Sequence, residues 1–459
     1  MIRDEPVRRR DLLGGAMAAL ALGSCASAAE PATPEQPAAA ASGRLPTTIA
    51  GMTLRQLRDD FHDRLFRQYL PFWEKGAIDQ QFGGFLCELN DDGSVASDEK
   101  YSWYQGRGLW VYSFLFNEFG KDPRWLKIAQ RGRDFMVRKL YAGEGRWHER
   151  LRRDGTMIEG VGGTVYGALF AALGLGEYYL AAGREEDLEL VKTTLTAAVA
   201  AYDDRRYNDT HTTLYTSVKP SFTGFRTQGH SMVLVTILSR LVARCPDPLF
   251  RRLLDEHVDR IVNKFWNPDY GIVNEMLDHD YGRIPLTADH MFAGHSLETL
   301  WIVVQEAVRR KDRAMFDTLV GRIHRLIEMC WDYVFEGWGD GNFFVFQSPQ
   351  HSIGPEYDIK TMWAQCEVLV ACMLVLEYTG QPWAKEWYDR TRAFALRALP
   401  SPAPGVWRQA VNRQGQDIQR AGISTKRKDN FHQVRYLMFN LLSLDRMLKN
   451  DGRPTPFPA

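Results

Sequence analysis

The segment "FAGHSLETLW" carries His295, Glu298 and Trp301 at three-residue spacing. At about 100° per residue these side chains share one side of a helix, and the leucines of the segment fall on the other side. A histidine away from the packing face meets either water or a pocket. Histidine exchanges protons near neutral pH without large tuning, so a pocket at this helix would suit acid–base chemistry.

Short hairpin patterns recur along the chain and separate long amphipathic runs. Each pattern has a glycine, β-branched or aromatic residues, a polar turn and a second short strand. The hairpins begin at Gly83, Gly145, Gly271, Gly341 and Gly405. The intervals between them are 62, 126, 70 and 64 residues, and 126 is about twice the others. A degenerate sixth copy is therefore expected from Asn208, in "NDTHTTLYTSV".

Six units, each a hairpin with two helices, define the predicted fold. Twelve helices in two concentric rings make an all-α (α/α)6 barrel with short β-hairpins between the helices. An open α-solenoid would follow the same repeat logic, but the short hairpins and the count of six favour closure. We assign residues 49–459 to this barrel as one catalytic domain.

Polar residues recur at a similar distance after the start of each hairpin. They lie 22 to 27 residues downstream: Arg107, His230, His295, Glu367 and His432. Each is thereby placed early in the helix that follows a hairpin. Because these helices form the predicted inner ring, their early residues converge on one mouth of the barrel. The shared distance favours a pocket for His295 over a solvated helix face.

The N-terminus resembles an export signal. Three consecutive arginines precede an apolar run from Leu12 to Leu22, which is too short to span a bilayer. The arginines followed by "DLL" resemble a twin-arginine signal, and "LGSC" resembles a lipoprotein box with Cys25 as the acylated residue. Ala26–Ala28 would equally suit an ordinary signal peptidase. We expect residues 1–28 to be the signal and residues 29–48, rich in alanine and proline, to be a linker.

Composition limits the partners of the chain. The 459 residues contain 57 Lys+Arg and 57 Asp+Glu, so no charge excess indicates a nucleic-acid partner. Contact with a membrane is expected only through a lipid anchor at Cys25. The protein is expected in the periplasm or lipid-anchored at the cell envelope, as a monomer or homodimer. The sequence shows no cluster with metal-ligand spacing, and neither a metal nor another cofactor is expected.

Four ordered blocks carry a resemblance to a known family. They are the segment around "FGGFLCELNDDGSVASDEKYSWYQGRGLW", then "AGHSLETLW", "KTMWAQCEVLVA" and "KDNFHQVRYLM". The chain resembles, from about Leu54 to Met447, the N-acylglucosamine 2-epimerase family, which includes cellobiose 2-epimerases and mannose isomerases. The resemblance implies an (α/α)6 barrel that epimerises or isomerises a mono- or disaccharide at the carbon next to the carbonyl.

The resemblance also implies roles for the polar residues. Inversion at C2 requires two acid–base groups on opposite faces of the sugar, and His295 and His432 match the paired histidines of the family. Arg107 matches the arginine that stabilises the enediolate. Glu298, one turn from His295, is expected to orient its ring. His230 is expected to help open the cyclic sugar.

Further residues are expected to bind the substrate. Tryptophan rings stack on sugar faces, and a carboxylate can hold a hydroxyl or assist ring opening. The expected substrate-binding residues are Trp301, Trp363, Glu367, Tyr104 and Tyr166. Around His230, "TQGHSMVLV" has Gln228 and Val233 where cellobiose epimerases have asparagine and glutamate, which is closer to the N-acyl-sugar members.

Two other functions remain open from the sequence. An exported (α/α)6 glycoside hydrolase or polysaccharide-processing enzyme would need two carboxylates across a glycosidic bond. Asp289, Glu356 or Asp358 could serve there with Glu367. A non-catalytic sugar-binding protein is the other alternative. The chain keeps the polar residues of the family together, which argues against a loss of activity: Arg107, His295, Glu298, Glu367 and His432.

Overall fold

The computed structural model describes residues 44–207, 225–339, 342–344, 359–418 and 426–458. The predicted export signal, most of the linker and the degenerate hairpin from Asn208 lie outside these residues, as do Glu356 and Asp358. The described residues form two rings of helices with short strands at one end.

Six long helices form an inner ring. They are α3 (Ser102–Glu118), α5 (Tyr166–Ala182), α7 (Gln228–Val242), α9 (Ala293–Arg310), α11 (Met362–Thr379) and α13 (His432–Lys449). Several of these helices carry apolar residues on every face, as expected for helices that are enclosed by other helices. By length and composition α11 could cross a membrane, but 89% of it is buried inside the protein, as befits the inner wall of a barrel.

The remaining helices form an outer ring. They are α1 (Leu54–Asp63) with α2 (Leu70–Gly76), α4 (Pro123–Phe135), α6 (Glu185–Asp203), α8 (Pro248–Asp259), α10 (Arg313–Cys330) and α12 (Pro382–Ala398). A π-helical segment, Arg64–Tyr69, joins α1 to α2. Three outer helices begin with proline at the first position, where the missing N–H costs no helical hydrogen bond.

The inner ring closes between its last and first helices. Phe439 of α13 packs against Phe114 and Trp110 of α3, with ring centroids 5.5 Å and 6.3 Å apart. The side chain of Asn430 donates to the backbone oxygen of Tyr104 at 3.1 Å. These contacts distinguish a closed barrel from an open solenoid. The predicted (α/α)6 barrel is therefore confirmed.

Short strands form a rim at the N-terminal ends of the inner helices. The strands are β1 (Glu99–Tyr101), β2 (Tyr141–Gly143), β3 (Arg146–Arg152), β4 (Met157–Val161), β5 (Arg226–Thr227), β6 (Trp266–Asn267), β7 (Ile272–Val273), β8 (Met276–Leu277), β9 (His290–Phe292), β10 (Asn342–Phe344), β11 (Ile359–Thr361) and β12 (Ala410–Asn412). Four of them, β1, β5, β9 and β11, lead directly into inner helices. Each pairs antiparallel with a strand from the next hairpin region: β3, β8, β10 and β12 respectively.

This pairing differs from the predicted hairpins. Within the described residues, the hairpin from Gly145 forms as predicted, β3 with β4, with a shift in register between Arg150 and Leu151. The hairpin from Gly271 is not, because β7 pairs with β6 and β8 pairs with β5. The hairpins from Gly83 and Gly405 each keep a local antiparallel bridge, Leu89 with Val95 and Val411 with Asp417. The strands before α3, α7, α9 and α11 pair with the next hairpin region. The hairpins therefore tie neighbouring units together around the mouth.

Glutamine side chains fix the rim to three inner helices. Gln105 of α3 accepts from the backbone N–H of Phe85 at 2.7 Å and donates to its carbonyl at 2.7 Å. Gln365 of α11 makes the same pair of bonds to Trp338, at 3.0 Å and 2.8 Å. Gln433 of α13 accepts from Trp407 N–H at 3.0 Å. Since these glutamines lie one or two residues from Arg107, Glu367 and His432, they hold the first turns of those helices in place.

Candidate active site

The N-terminal ends of the inner helices enclose a cavity of about 560 Å³. All six helices contribute to its wall. The lining residues include Arg107 of α3, Tyr166 of α5, Met232 of α7, His295 and Glu298 of α9, Trp363 of α11 and His432 of α13. Of the five residues at the shared distance after the hairpins, Arg107, His295 and His432 therefore lie at one mouth of the barrel.

Trp363 lies between the two histidines. Its ring centroid is 5.6 Å from that of His295 and 5.3 Å from that of His432. A Cβ atom at Gly294 would overlap the indole, so glycine at this position allows Trp363 to lie against α9. The histidines therefore stand on either side of one aromatic surface that faces the cavity.

A buried carboxylate supports His432. Nδ1 of His432 lies 2.9 Å from Oε1 of Glu367 and 3.3 Å from Nη2 of Arg435. The tautomer with its proton on Nδ1 donates to the carboxylate and leaves Nε2 for the cavity. Glu367 is fully buried. Burial lowers the pKa of His432 to about 3, with Arg107 and Arg435 acting in the same direction against the nearby carboxylates. His432 is thus a neutral imidazole at neutral pH.

The carboxylate that contacts His295 comes from a hairpin. Nδ1 of His295 lies 3.1 Å from Oε1 of Glu275, which precedes β8, and Gln228 donates to the other oxygen of Glu275 at 3.1 Å. The sequence assigned this contact to Glu298. One helical turn carries Glu298 deeper into the barrel, where it accepts a hydrogen bond from Arg435 of α13. Glu275 was not singled out from the sequence, since the helical spacing gives no information about a hairpin residue.

Arg435 connects the buried carboxylates beneath the cavity. Its Nη2 donates to Glu298 and, at 2.7 Å, to Oε1 of Glu367. Arg435 is 2% exposed, so this is a buried charge cluster with two carboxylates and one guanidinium. Arg435 was not singled out from the sequence, although it stands three residues after His432, on the same helical face.

The same cluster is the candidate for a metal among the described residues. Glu298, Glu367 and His432 each offer a ligand atom, and these atoms lie within 4.8 Å of one another. The guanidinium of Arg435 already supplies the positive charge between the two carboxylates. A metal ion there would be repelled by this guanidinium at close range. The expectation that no metal is needed stays a prediction.

Aromatic rings hold Arg107 in the cavity wall. Its guanidinium carbon lies 4.3 Å from the ring centroid of Phe170, 4.9 Å from that of Phe431 and 5.1 Å from that of Trp103. Such packing restricts a long side chain and favours its charge through the ring faces. Arg107 is thus a fixed donor at the cavity. Tyr104 and Tyr166 line the same cavity, as predicted substrate-binding residues would.

His230 lies behind the cavity wall. Its ring is fully buried and packs on Tyr166, with centroids 4.4 Å apart. Its Nδ1 lies 3.1 Å from the hydroxyl of Thr227, and its Nε2 lies 3.4 Å from that of Tyr207. The described residues that line the cavity do not include His230. The structure therefore gives no support to its predicted contact with the sugar ring, because Tyr166 occupies that place.

Trp301 and Glu367 also lie below the cavity. Trp301 is 1% exposed and donates its indole N–H to Oε2 of Glu367 at 2.8 Å. Its ring lines a separate cavity at the opposite end of the barrel. The prediction that these two residues contact the sugar directly does not agree with this placement. Trp301 lies about two turns after the first residue of α9, too deep for the mouth.

Two further acidic residues differ in their access to the cavity. Glu149 of β3 lines the cavity and was not singled out from the sequence, because it lies on a hairpin strand, outside the helix starts. Asp289, which could have served a hydrolase, is buried and is not among the described lining residues. Its burial raises its pKa.

Comparison with known proteins places the chain in a family. The family described as N-acylglucosamine 2-epimerase (GlcNAc 2-epimerase) matches residues 83–434. The N-acylglucosamine 2-epimerase of Bos taurus is 23% identical over 380 residues, which is 79% of this chain and 85% of the relative. The cellobiose 2-epimerase of Bacteroides fragilis is 20% identical over 396 residues, which is 80% of this chain and 95% of the relative.

The fold is also shared with a solved structure. The cellobiose 2-epimerase from Spirochaeta thermophila superposes with a TM-score of 0.70 at 20% identity, over 86% of this chain and 98% of that one. The family match covers the hairpin from Gly83, the helix starts and both histidines of the cavity. This chain therefore belongs to the N-acylglucosamine 2-epimerase family.

Proposed function

We propose that the protein is a sugar 2-epimerase that acts through two histidines. The observation that carries the proposal is the pair of His295 and His432, each with a carboxylate on Nδ1, on either side of Trp363 in one cavity. Epimerisation at C2 needs this arrangement, since one proton leaves from one face of the carbon and another arrives on the opposite face.

His432 is suited to remove the C2 proton. It is neutral at rest, and its Nε2 can accept a proton while Nδ1–H remains on Glu367. Its lowered pKa makes it a weaker base than a free histidine, so the transfer relies on the opposite charge that forms on the substrate. Transfer leaves a negative enediolate beside a positive imidazolium, and each charge stabilises the other. Glu367 accepts from the Nδ1 of that imidazolium and compensates its charge in the buried site.

His295 is suited to return a proton to the other face. Glu275 orients its ring through Nδ1, so Nε2 can carry the proton that C2 receives. The reverse epimerisation exchanges the roles of the two histidines. Return of a proton to C1 from the same enediolate would give the ketose, so aldose–ketose isomerisation uses the same groups.

Arg107 would stabilise the oxygens of the enediolate. Its guanidinium is fixed by three rings before the substrate binds, so little reorganisation is needed when charge develops. Trp363 offers an aromatic face for the sugar between the histidines. The substrate would be a mono- or disaccharide with a free reducing end, since C2 is acidic only next to an open-chain carbonyl.

Deuterium exchange tests the proposal. The purified protein is incubated in D2O with N-acetylglucosamine, cellobiose, mannose or a β-glycan, and the products are followed by NMR. We expect deuterium at C2 of at least one free sugar. His295→Ala and His432→Ala should each lower the exchange rate by ~100-fold or more, the usual contribution of a positioned acid or base.

The control is His62→Ala, on outer helix α1, which should exchange at the wild-type rate. Undiminished exchange in both active-site variants would refute the roles of the two histidines. Release of reducing ends from the β-glycan with no C2 deuterium would instead favour the hydrolase. Neither signal with any of the four sugars would leave the non-catalytic binding protein as the better account.

A further inference from the structure

We infer that Glu149 is the catalytic residue that opens the pyranose ring of the substrate and closes it again after the reaction at C2. The inference rests on the proposed function, since C2 chemistry requires the open-chain carbonyl form. It assigns to a hairpin carboxyl group the step that the sequence assigned to His230, which lies behind Tyr166.

The order of the helices places Glu149 across the cavity from the two histidines. In the closed ring α3, α5, α7, α9, α11 and α13, the helix opposite α5 is α11, which carries Trp363. His295 and His432 flank that helix. Glu149 lies beside α5, next to Gly167 and Thr164 in the cavity wall. A pyranose stacked on Trp363 with C2 between the histidines therefore extends towards Arg107 and Glu149.

Two glycines make room for the Glu149 side chain. A Cβ atom at Gly162 would come within 2.7 Å of Cγ of Glu149, and one at Gly167 would come within 3.3 Å of Oε2. Ser102, the first residue of α3, donates to Oε2 at 3.4 Å, a long bond that leaves the carboxyl free to exchange partners. The carboxyl group thus occupies space at the cavity that side chains at positions 162 and 167 would otherwise fill.

Two other carboxyl groups of the cavity wall are already engaged. Glu298 is held by Arg435, and Asp429 accepts from the backbone N–H groups of Phe431 and Gln433 at the start of α13. Glu149, across the cavity from the histidines, has the hydroxyl of Ser102 as its hydrogen-bond partner.

The surroundings of Glu149 raise the pKa of its carboxyl group. Burial raises its pKa to about 7, Glu159 on β4 adds to the rise, and the hydrogen bond from Ser102 on α3 opposes it. The adjoining helix α5 presents Gly167, which has no charge. The protonated form of the Glu149 carboxyl group is therefore present near neutral pH.

A neutral carboxyl group can open a hemiacetal in one step. Its O–H gives a proton to the ring oxygen O5 as the C1–O5 bond breaks and its electron pair goes to O5. The carbonyl oxygen of the same carboxyl takes the proton from the O1 hydroxyl, and C1–O1 becomes the C=O double bond. No net charge forms, and the carboxyl group is restored with its proton on the other oxygen. Ring closure is the reverse.

Polarimetry separates this step from C2 chemistry. Freshly dissolved α-anomers of mannose, N-acetylglucosamine and cellobiose are mixed with the protein, and the approach to anomeric equilibrium is followed. Wild-type protein should accelerate it, with an acceleration that is constant below about pH 6 and falls as pH rises through about 7. In Glu149→Gln the rate of anomerisation by the protein should fall by ~100-fold. His295→Ala and His432→Ala should retain it while losing C2 exchange.

Two further variants sharpen the result. Glu144→Gln, an exposed residue of the same strand region, should behave as wild type. Glu159→Gln removes the neighbouring charge, so the fall in acceleration should move to lower pH. Wild-type anomerisation by Glu149→Gln, or an unmoved pH profile in Glu159→Gln, would overturn the inference. Anomerisation that depends on Glu149 without any C2 exchange would support it while refuting the epimerase itself.

Discussion

Arg435 ties together two buried carboxylates, one of which contacts His432. It holds Glu298 and Glu367, and Glu367 in turn accepts from His432. Removal of the guanidinium alone would leave both carboxylates buried without a cation. We therefore expect this guanidinium to stabilise the fold and to hold the carboxylate that contacts His432.

Arg435→Met should cost about 3–5 kcal/mol of unfolding free energy, because it leaves two buried carboxylates without their cation. Urea denaturation followed by circular dichroism measures the loss. The matched control is Arg408→Met. Arg408 pairs with Asp417 at 3.2 Å, but Asp417 is 61% exposed, and water screens the pair.

The control should therefore lose less than about 1 kcal/mol. Equal losses in Arg435→Met and Arg408→Met would show that the buried cluster is not held by the guanidinium. A second measurement, C2 exchange by the fraction that remains folded, should be reduced in Arg435→Met alone, since the carboxylate on His432 loses its position.

The sequence indicated the residues of the site better than their contacts. Arg107, His295, Trp363 and His432 were expected at one mouth, and they line one cavity. The partners of the histidines were harder to find. A side chain that reaches over from a hairpin, as Glu275 does, has no helical spacing to reveal it. Whether Trp301 reaches the cavity depends on how far along α9 it lies. The distance from the start of a hairpin does not give this depth.

At the scale of elements, the close contact between α9 and α11 fixes the site. Gly294 precedes His295, and the indole of Trp363 lies against its backbone. Any side chain at this position would push the indole from the gap between the histidines. The spacing of two helices is thereby set by one missing Cβ atom.

Gly294→Ala should displace Trp363 and lower C2 exchange by at least ~10-fold, since a misplacement of about 1 Å can cost ~100-fold in rate. Tryptophan fluorescence and the exchange assay report the two effects. Gly163→Ala serves as the control, because a Cβ atom there would meet nothing within 4 Å. Wild-type exchange by Gly294→Ala would mean that Trp363 does not position the substrate.

The sequence repeat predicted the helices, but it did not predict how the strands pair. Glycine-led patterns marked where units begin, and apolar periodicity marked the helices. The strands β5 and β9 are only two and three residues long, too short for a period-two pattern. Their partners lie in a later hairpin region, so local sequence patterns did not predict this pairing between neighbouring units.

For the whole molecule, the predicted barrel and family are confirmed, while the N-terminus remains a prediction. We propose that residues 1–28 direct export and that Cys25 anchors the protein to a membrane. In cell fractionation, Arg9→Lys with Arg10→Lys should leave the protein in the cytoplasm, because a twin-arginine signal is recognised as a pair. Cys25→Ser should move it from the membrane fraction to the soluble periplasmic fraction.

Arg8→Lys, which keeps the arginine pair, is the control and should be exported normally. Export of the double variant at the wild-type level would exclude the twin-arginine route. An unchanged membrane fraction in Cys25→Ser would exclude the lipid anchor.

The parallel orientation of the six inner helices has an electrostatic consequence. Each helix N-terminus carries roughly half a positive charge from its aligned peptide dipoles, and all six inner helices begin at the same mouth. The outer helices run the other way, but they lie farther from the cavity axis. The backbone alone therefore creates a positive potential where the enediolate forms. The backbone of the whole barrel would therefore help to stabilise an anion at the mouth. Residues at the rim could then differ between proteins that act on different sugars.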